Sequence, residues 1–247
     1  MIFVKDFISF IKQPSIYQEG EYIAPIKSLK LVIVAFSVLI IVEFLAWIIR
    51  LSLLTNDYGV LQTRLDSEPS INLTGVFLIV FYTPIFEELT FRLGLRFSKV
   101  NVVISFSFLI SLIIKLVASK MHLQYANTFT SYVIFDLLIF SGFLTINYYI
   151  LWPYVNKFIA KTFAKSFNKI VFSIVIVFAL LHLNNFDYTK FTISHCFYLS
   201  IFLLKMAFIG LVLSFLRLRC GITWGILLHI LINCFALRGT LSNYFLQ

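Results

Sequence analysis

Apolar residues dominate this chain in long runs rather than in two-sided alternation, and short polar segments break the runs apart. A hydrocarbon core about 30 Å thick asks for about 20 mostly apolar residues in a helix, and seven runs meet that length or nearly so. They cover residues 29–54, 71–99, 100–118, 129–152, 169–183, 191–216 and 222–237. The fifth and seventh are short, so their ends draw on flanking polar residues or on tilt among neighbours. Ahead of them Ile2, Phe3, Phe7, Phe10 and Ile11 recur at helical spacing, interrupted by Lys5, Asp6 and Lys12. That pattern predicts a short helix lying on the membrane rather than a cleavable leader. Residues 1–28 are therefore expected as an interfacial segment and 29–247 as one all-α transmembrane bundle, without internal repeats.

Composition turns this into an exclusion. The hydrophobic set makes up 60% of the 247 residues and charged residues only 13%, with mean hydropathy +0.96. Ordinary soluble domains run at about 45–50% apolar and about 25% charged, so a water-soluble fold is ruled out, as are collagen-like, disordered and disulfide-rich classes. Lys and Arg outnumber acids 20 to 11, which in a soluble protein would point to nucleic acid. Here the cations lie between apolar runs, and no nucleic-acid partner is expected. Lys5, Lys12, Lys27 and Lys30 precede the first span; Arg96 and Lys99 follow the second; Lys157, Lys161, Lys165 and Lys169 separate the fourth from the fifth; Arg217 and Arg219 separate the sixth from the seventh. Every second loop is basic, which predicts a cytoplasmic N-terminus and an external C-terminus. Cys196, Cys220 and Cys234 form no CxxC pair and read as small buried hydrophobes.

Ionisable groups inside spans are costly and therefore informative. They are Glu43, Glu87, Glu88, Arg92, Lys115, Asp136, His182, His195, Lys205 and His229. Glu88 and Arg92 stand i,i+4 and predict an ion pair on one helix face, while Glu87 is turned about 100° away. Phe178 and His182 share a face by the same spacing, as do His229 and Asn233. From Lys99, Lys169 and Arg219 as interface anchors at 1.5 Å per residue, Glu87 lies about 18 Å deep, His182 about 20 Å, His229 about 15 Å and Asn233 about 21 Å. Carboxylate, two imidazoles and an amide thus reach one level from three distant helices. Lys115 is expected to snorkel to the interface, and Glu43, Asp136 and Lys205 to form helix-packing ion pairs. His122 is placed in a loop, and Phe178 is expected to pack.

The segments EELTFR, FALLH and HILIN match, in order, the EExxxR, FxxxH and HxxxN motifs of the CPBP intramembrane proteases, the CAAX-protease and bacteriocin-processing or Abi family. The chain resembles that family over 71–237, with Glu87, Glu88 and Arg92, then Phe178 and His182, then His229 and Asn233 in the motif positions. Between the first two motifs it departs from the usual spacing, and residues 100–152 read as an inserted helix pair; an even number of spans preserves the direction of the fifth. The resemblance implies an intramembrane endopeptidase.

Peptide hydrolysis needs an activated water and a stabilised oxyanion. The expected roles are Glu87 and His182 on the water, His229 and Asn233 on the oxyanion, Glu88 sharing a proton with Glu87 or held by Arg92, and Phe178 in support. Glu87, His182 and His229 would also make a zinc set, although HExxH is absent, and metal use is left open. GxSxG and GxGD do not occur, which disfavours rhomboid-like and aspartyl intramembrane proteases. The expected substrate is a membrane-associated peptide or lipidated protein, and the style of the chain is that of a bacterial cell-membrane protein acting on leader or signalling peptides. The alternative is a non-catalytic partner, such as a bacteriocin self-immunity or regulatory membrane protein. A small transporter is disfavoured by the lack of clear inverted repeats or Gly/Pro-broken helices.

Overall fold

The computed structural model describes residues 2–18, 20–55, 73–120, 129–186, 188, 191, 193 and 195–238. Among them the chain is helical and holds no strand, as backbone in lipid requires when every N–H and C=O must be satisfied within its own segment. The helices are α1 (Ile2–Lys12), α2 (Pro25–Thr55), α3 (Leu73–Phe77), α4 (Thr83–Phe91), α5 (Lys99–Lys120), α6 (Phe129–Thr145), α7 (Trp152–Leu181), α8 (His195–Cys220) and α9 (Ile222–Ala236). Five runs are long and apolar enough to cross a bilayer: Pro25–Ser52, Leu73–Leu95, Lys99–Val117, Leu137–Asn185 and His195–Cys220. The protein is an integral membrane helical bundle. Its exposed side chains along these runs, among them Ile41, Phe44, Leu45, Leu137, Leu138 and Leu204, are large and apolar, as lipid contact demands.

Two expectations about elements need correction. The segment carrying Lys157, Lys161, Lys165 and Lys169 is not a loop: 49 residues, Leu137–Asn185, form one helical run. A π turn at Ile146–Leu151 and non-helical angles at Ser166 (φ −126°, ψ 20°) bend it. The Phe97 ring touches both Trp152 and Phe163, so the part of α7 before Ser166 stays at the end of the bundle. The chain bends through a helical elbow there, which satisfies its own backbone where a loop would need water. The sixth span starts at His195 and runs one turn past Leu216 to Cys220. The seventh span lies where expected, as the 15-residue α9.

The N-terminal helix is also more than a surface float. Phe3, Phe7 and Phe10 are buried on Phe208 and Phe215 of α8, while Val4, Ile8 and Ile11 remain exposed. A stripe at i, i+4 and i+7 has found a protein groove, and the opposite apolar stripe is left for lipid. Asp6 fixes this docking through an ion pair with Arg219 at 3.3 Å, and its carbonyl accepts from Tyr17. Burial is the main cause that raises the Tyr17 phenol pKa above its ordinary value, followed by Asp6.

The second span is a composite. Pro84 has no N–H to donate, and the helix widens into a π turn, Leu78–Tyr82, just before it. The Thr83 N–H reaches back to the Leu78 carbonyl, so the next carbonyl, that of Ile79, loses its donor within the helix. Asn233 of α9 supplies one, Nδ2 to O at 2.8 Å. The helix then stops at Arg92, whose φ of −120° leaves the helical region, and a 3₁₀ turn, Leu93–Leu95, follows.

Candidate active site

Two helices, α4 and α9, meet at Glu88. Its Oε1 accepts from Arg92 one turn along α4 at 2.7 Å and from His229 Nδ1 of α9 at 2.9 Å, with both carboxylate and guanidinium fully buried. A carboxylate only accepts, so Nδ1 carries the imidazole proton and Nε2 points onward. Nε2 lies 3.6 Å from Glu87 Oε2, beyond direct hydrogen-bond range. Glu87 is the half-open member, with 21% of its side chain exposed against 4% for His229. The ion pair and the turned-away acid expected from FEELTFR are both present.

Small residues admit these charges between helices. A Cβ at Gly225, one turn before His229, would come within 3.2 Å of Glu88 Oε2. A Cβ at Gly210 of α8 would meet the Phe178 ring at 3.2 Å and Arg92 Nη2 at 3.7 Å. Arg92 lies over the Phe178 ring, 4.2 Å from its centroid, and that cation–π contact covers a guanidinium whose Nε and Nη2 have no hydrogen-bond partner among the described residues. Phe178 packs as expected, and in addition solvates a buried cation.

The two remaining motif residues sit differently from expectation. His182 Nδ1 donates to the Phe178 carbonyl at 2.8 Å, its ring packs edge-on against Phe178 at 4.6 Å, and it makes no ion pair with Glu87. The imidazole within 4 Å of Glu87 is that of His229. Asn233 gives one Nδ2–H to the Ile79 carbonyl at 2.8 Å, so it serves the helix break with one of its two amide donors. No three His, Cys, Asp or Glu side chains gather as a ligand group among the described residues.

Sequence reasoning missed Arg217. It is buried near the end of α8, donating from Nε to the Arg92 carbonyl at 3.2 Å, from Nη2 to the Leu93 carbonyl at 3.1 Å and from Nη1 to Tyr22 at 2.7 Å. These are the orphan carbonyls where α4 ends. Arg96 lies 3.6 Å over the same Tyr22 ring and donates to the Leu218 carbonyl at 3.0 Å. Both arginines look like topology signals in the sequence, and only their partners reveal a clamp.

Other intramembrane charges resolve as packing. Lys205 pairs with Glu43 at 2.9 Å between α8 and α2. Lys115 does not snorkel: it is buried, with Nζ 4.2 Å from the Phe86 ring centroid, because α4 presents an aromatic face to that turn of α5. His195 is buried beside Phe191. The side chain of Asp136, and His122, lie outside the described residues. No family model matches the chain, and no curated protein or solved structure matches it.

Proposed function

We propose that the protein is an intramembrane endopeptidase, hydrolysing a peptide bond in a membrane-associated peptide or lipidated protein, in line with its resemblance to the CPBP proteases. The observation that carries this reading is the pairing of a half-open acid, Glu87, with an imidazole oriented from behind by a buried carboxylate, Glu88. In this reading one proton is shared by Glu87 and His229 Nε2, which face each other at 3.6 Å. A group that holds one transferable proton is what acid–base catalysis requires.

In the proposed reaction Glu87 takes a proton as a water oxygen attacks the scissile carbonyl carbon. The charge that forms on the carbonyl oxygen is met by the Nε2–H of His229, whose other nitrogen stays anchored on Glu88. Collapse of the tetrahedral species breaks the C–N bond, and the proton passes to the leaving amine. His182, its Nδ1–H held by the Phe178 carbonyl, keeps Nε2 as an acceptor and packs on the Phe178 ring that also covers Arg92. Arg92, Arg217 and Asn233 hold geometry. Zinc enters no step of this scheme.

The basic segments assign the proposed topology, with the N-terminus, Arg96, Lys99 and the α7 elbow on the cytoplasmic side of a bacterial cell membrane. The test is cleavage of a membrane-inserted reporter peptide by purified protein in liposomes. His229→Ala should lower turnover by roughly 10² to 10³-fold. Cleavage at the wild-type rate would instead leave the Glu88–Arg92–His229 network as a brace in a non-catalytic immunity or regulatory protein.

A further inference from the structure

Away from the acid cluster a cavity of about 280 Å³ opens between the end of α4, α5 and α7. Its lining includes buried Thr90 and Phe91, half-buried Gly94, and the exposed side chains of Phe106 and Val177. The Thr90 and Ser105 hydroxyls are already used, Thr90 donating to the Phe86 carbonyl and Ser105 to the Thr90 carbonyl, so what faces the cavity is apolar. Its volume is about twice the ~150 Å³ that houses a benzene ring, which suits a stretch of alkyl chain.

Helical spacing sets a cation at the mouth of each wall. Lys99 stands three residues before Val102 on the α5 wall, and exposed Lys169 four residues before Ser173 on the α7 wall. Lys99 is held 3.5 Å over the Tyr148 ring, and Trp152, Tyr148 and Phe97 cluster at the same end. Aromatic residues with lysines mark the headgroup level of a bilayer. An apolar slot running inward from two cations at that level is complementary to an amphiphile with an anionic head and an alkyl tail.

We propose that this groove binds one anionic phospholipid of the surrounding bilayer, its phosphate between Lys99 and Lys169 and an acyl chain against Phe91. The site is independent of the proteolytic reading. Phe91 packs edge-on against Phe178 at 6.0 Å, so an occupied groove supports the ring that carries Arg92.

Native mass spectrometry of the full chain, released from liposomes of equal phosphatidylglycerol and phosphatidylcholine with matched chains, tests it. Wild type should retain one phosphatidylglycerol at least tenfold over phosphatidylcholine. Lys99→Gln with Lys169→Gln should abolish the preference, and Ser173→Phe, which keeps both charges but fills the slot, should abolish retention. Lys157→Gln, outside the groove, should behave as wild type. Equal retention of the two lipids by the wild type, which needs no variant to fold, would overturn the proposal. So would selectivity that survives the double substitution or Ser173→Phe.

Discussion

Glu88 is the residue on which the cluster turns, since one oxygen receives both Arg92 and His229 while the other abuts Gly225. Removing Arg92 strands a buried carboxylate at a cost of about 3 to 5 kcal/mol, so Arg92→Ala should sharply reduce the folded fraction in detergent, read by thermal unfolding. Arg92→Lys should recover part of it. Gly225→Ala pushes a methyl against Glu88 Oε2 and should slow turnover while leaving protein amount near normal. The Glu88–Arg92 pair was legible in the sequence because both groups share one helix and i,i+4 fixes their separation. The His229 contact was not, because rise per residue gives depth but not which way a second helix is rotated. For the same reason depth puts His182 at the level of Glu87 but does not show that its ring packs edge-on against Phe178.

At the scale of elements the decisive feature is the break at Pro84, where a π turn leaves the Ile79 carbonyl to Asn233. Since His229 lies one turn from Asn233 on α9, the bond that repairs the break also sets the register that brings His229 to Glu88. An unsatisfied buried carbonyl costs about 1 to 3 kcal/mol, so Asn233→Ala should lower the unfolding midpoint. Pro84→Ala restores an N–H near that carbonyl and should remove at least half of the Asn233→Ala cost in a double-mutant cycle; an unchanged cost would refute the coupling. The runs of apolar residues announced the spans well because lipid demands length and little else. They could not announce the α7 elbow, because four lysines read as a polar loop whether or not the backbone between them stays helical. Nor could the stripe of Phe3, Phe7 and Phe10 distinguish a lipid surface from the face of α8, both being apolar.

The whole molecule is a membrane helical bundle whose acid cluster lies between helices far apart in sequence, and the proposed topology puts its basic ends on one side. A cysteine at Lys161 should resist impermeant reagents in intact cells and react after lysis; labelling from outside would invert the topology. Because no proposed step uses a metal, dialysis against a strong chelator should leave turnover within about twofold, a range well under the tenfold that 1.4 kcal/mol represents. Glu87, turned from the Glu88 ion pair toward His229, is the proposed base. The most direct measurement is the single-turnover rate of reporter-peptide cleavage by Glu87→Gln, with folded protein matched to wild type. Glutamine keeps the shape and loses the basic oxygen, so the account predicts a rate lower by at least 10²-fold with an unchanged unfolding midpoint, and cleavage at the wild-type rate would contradict it.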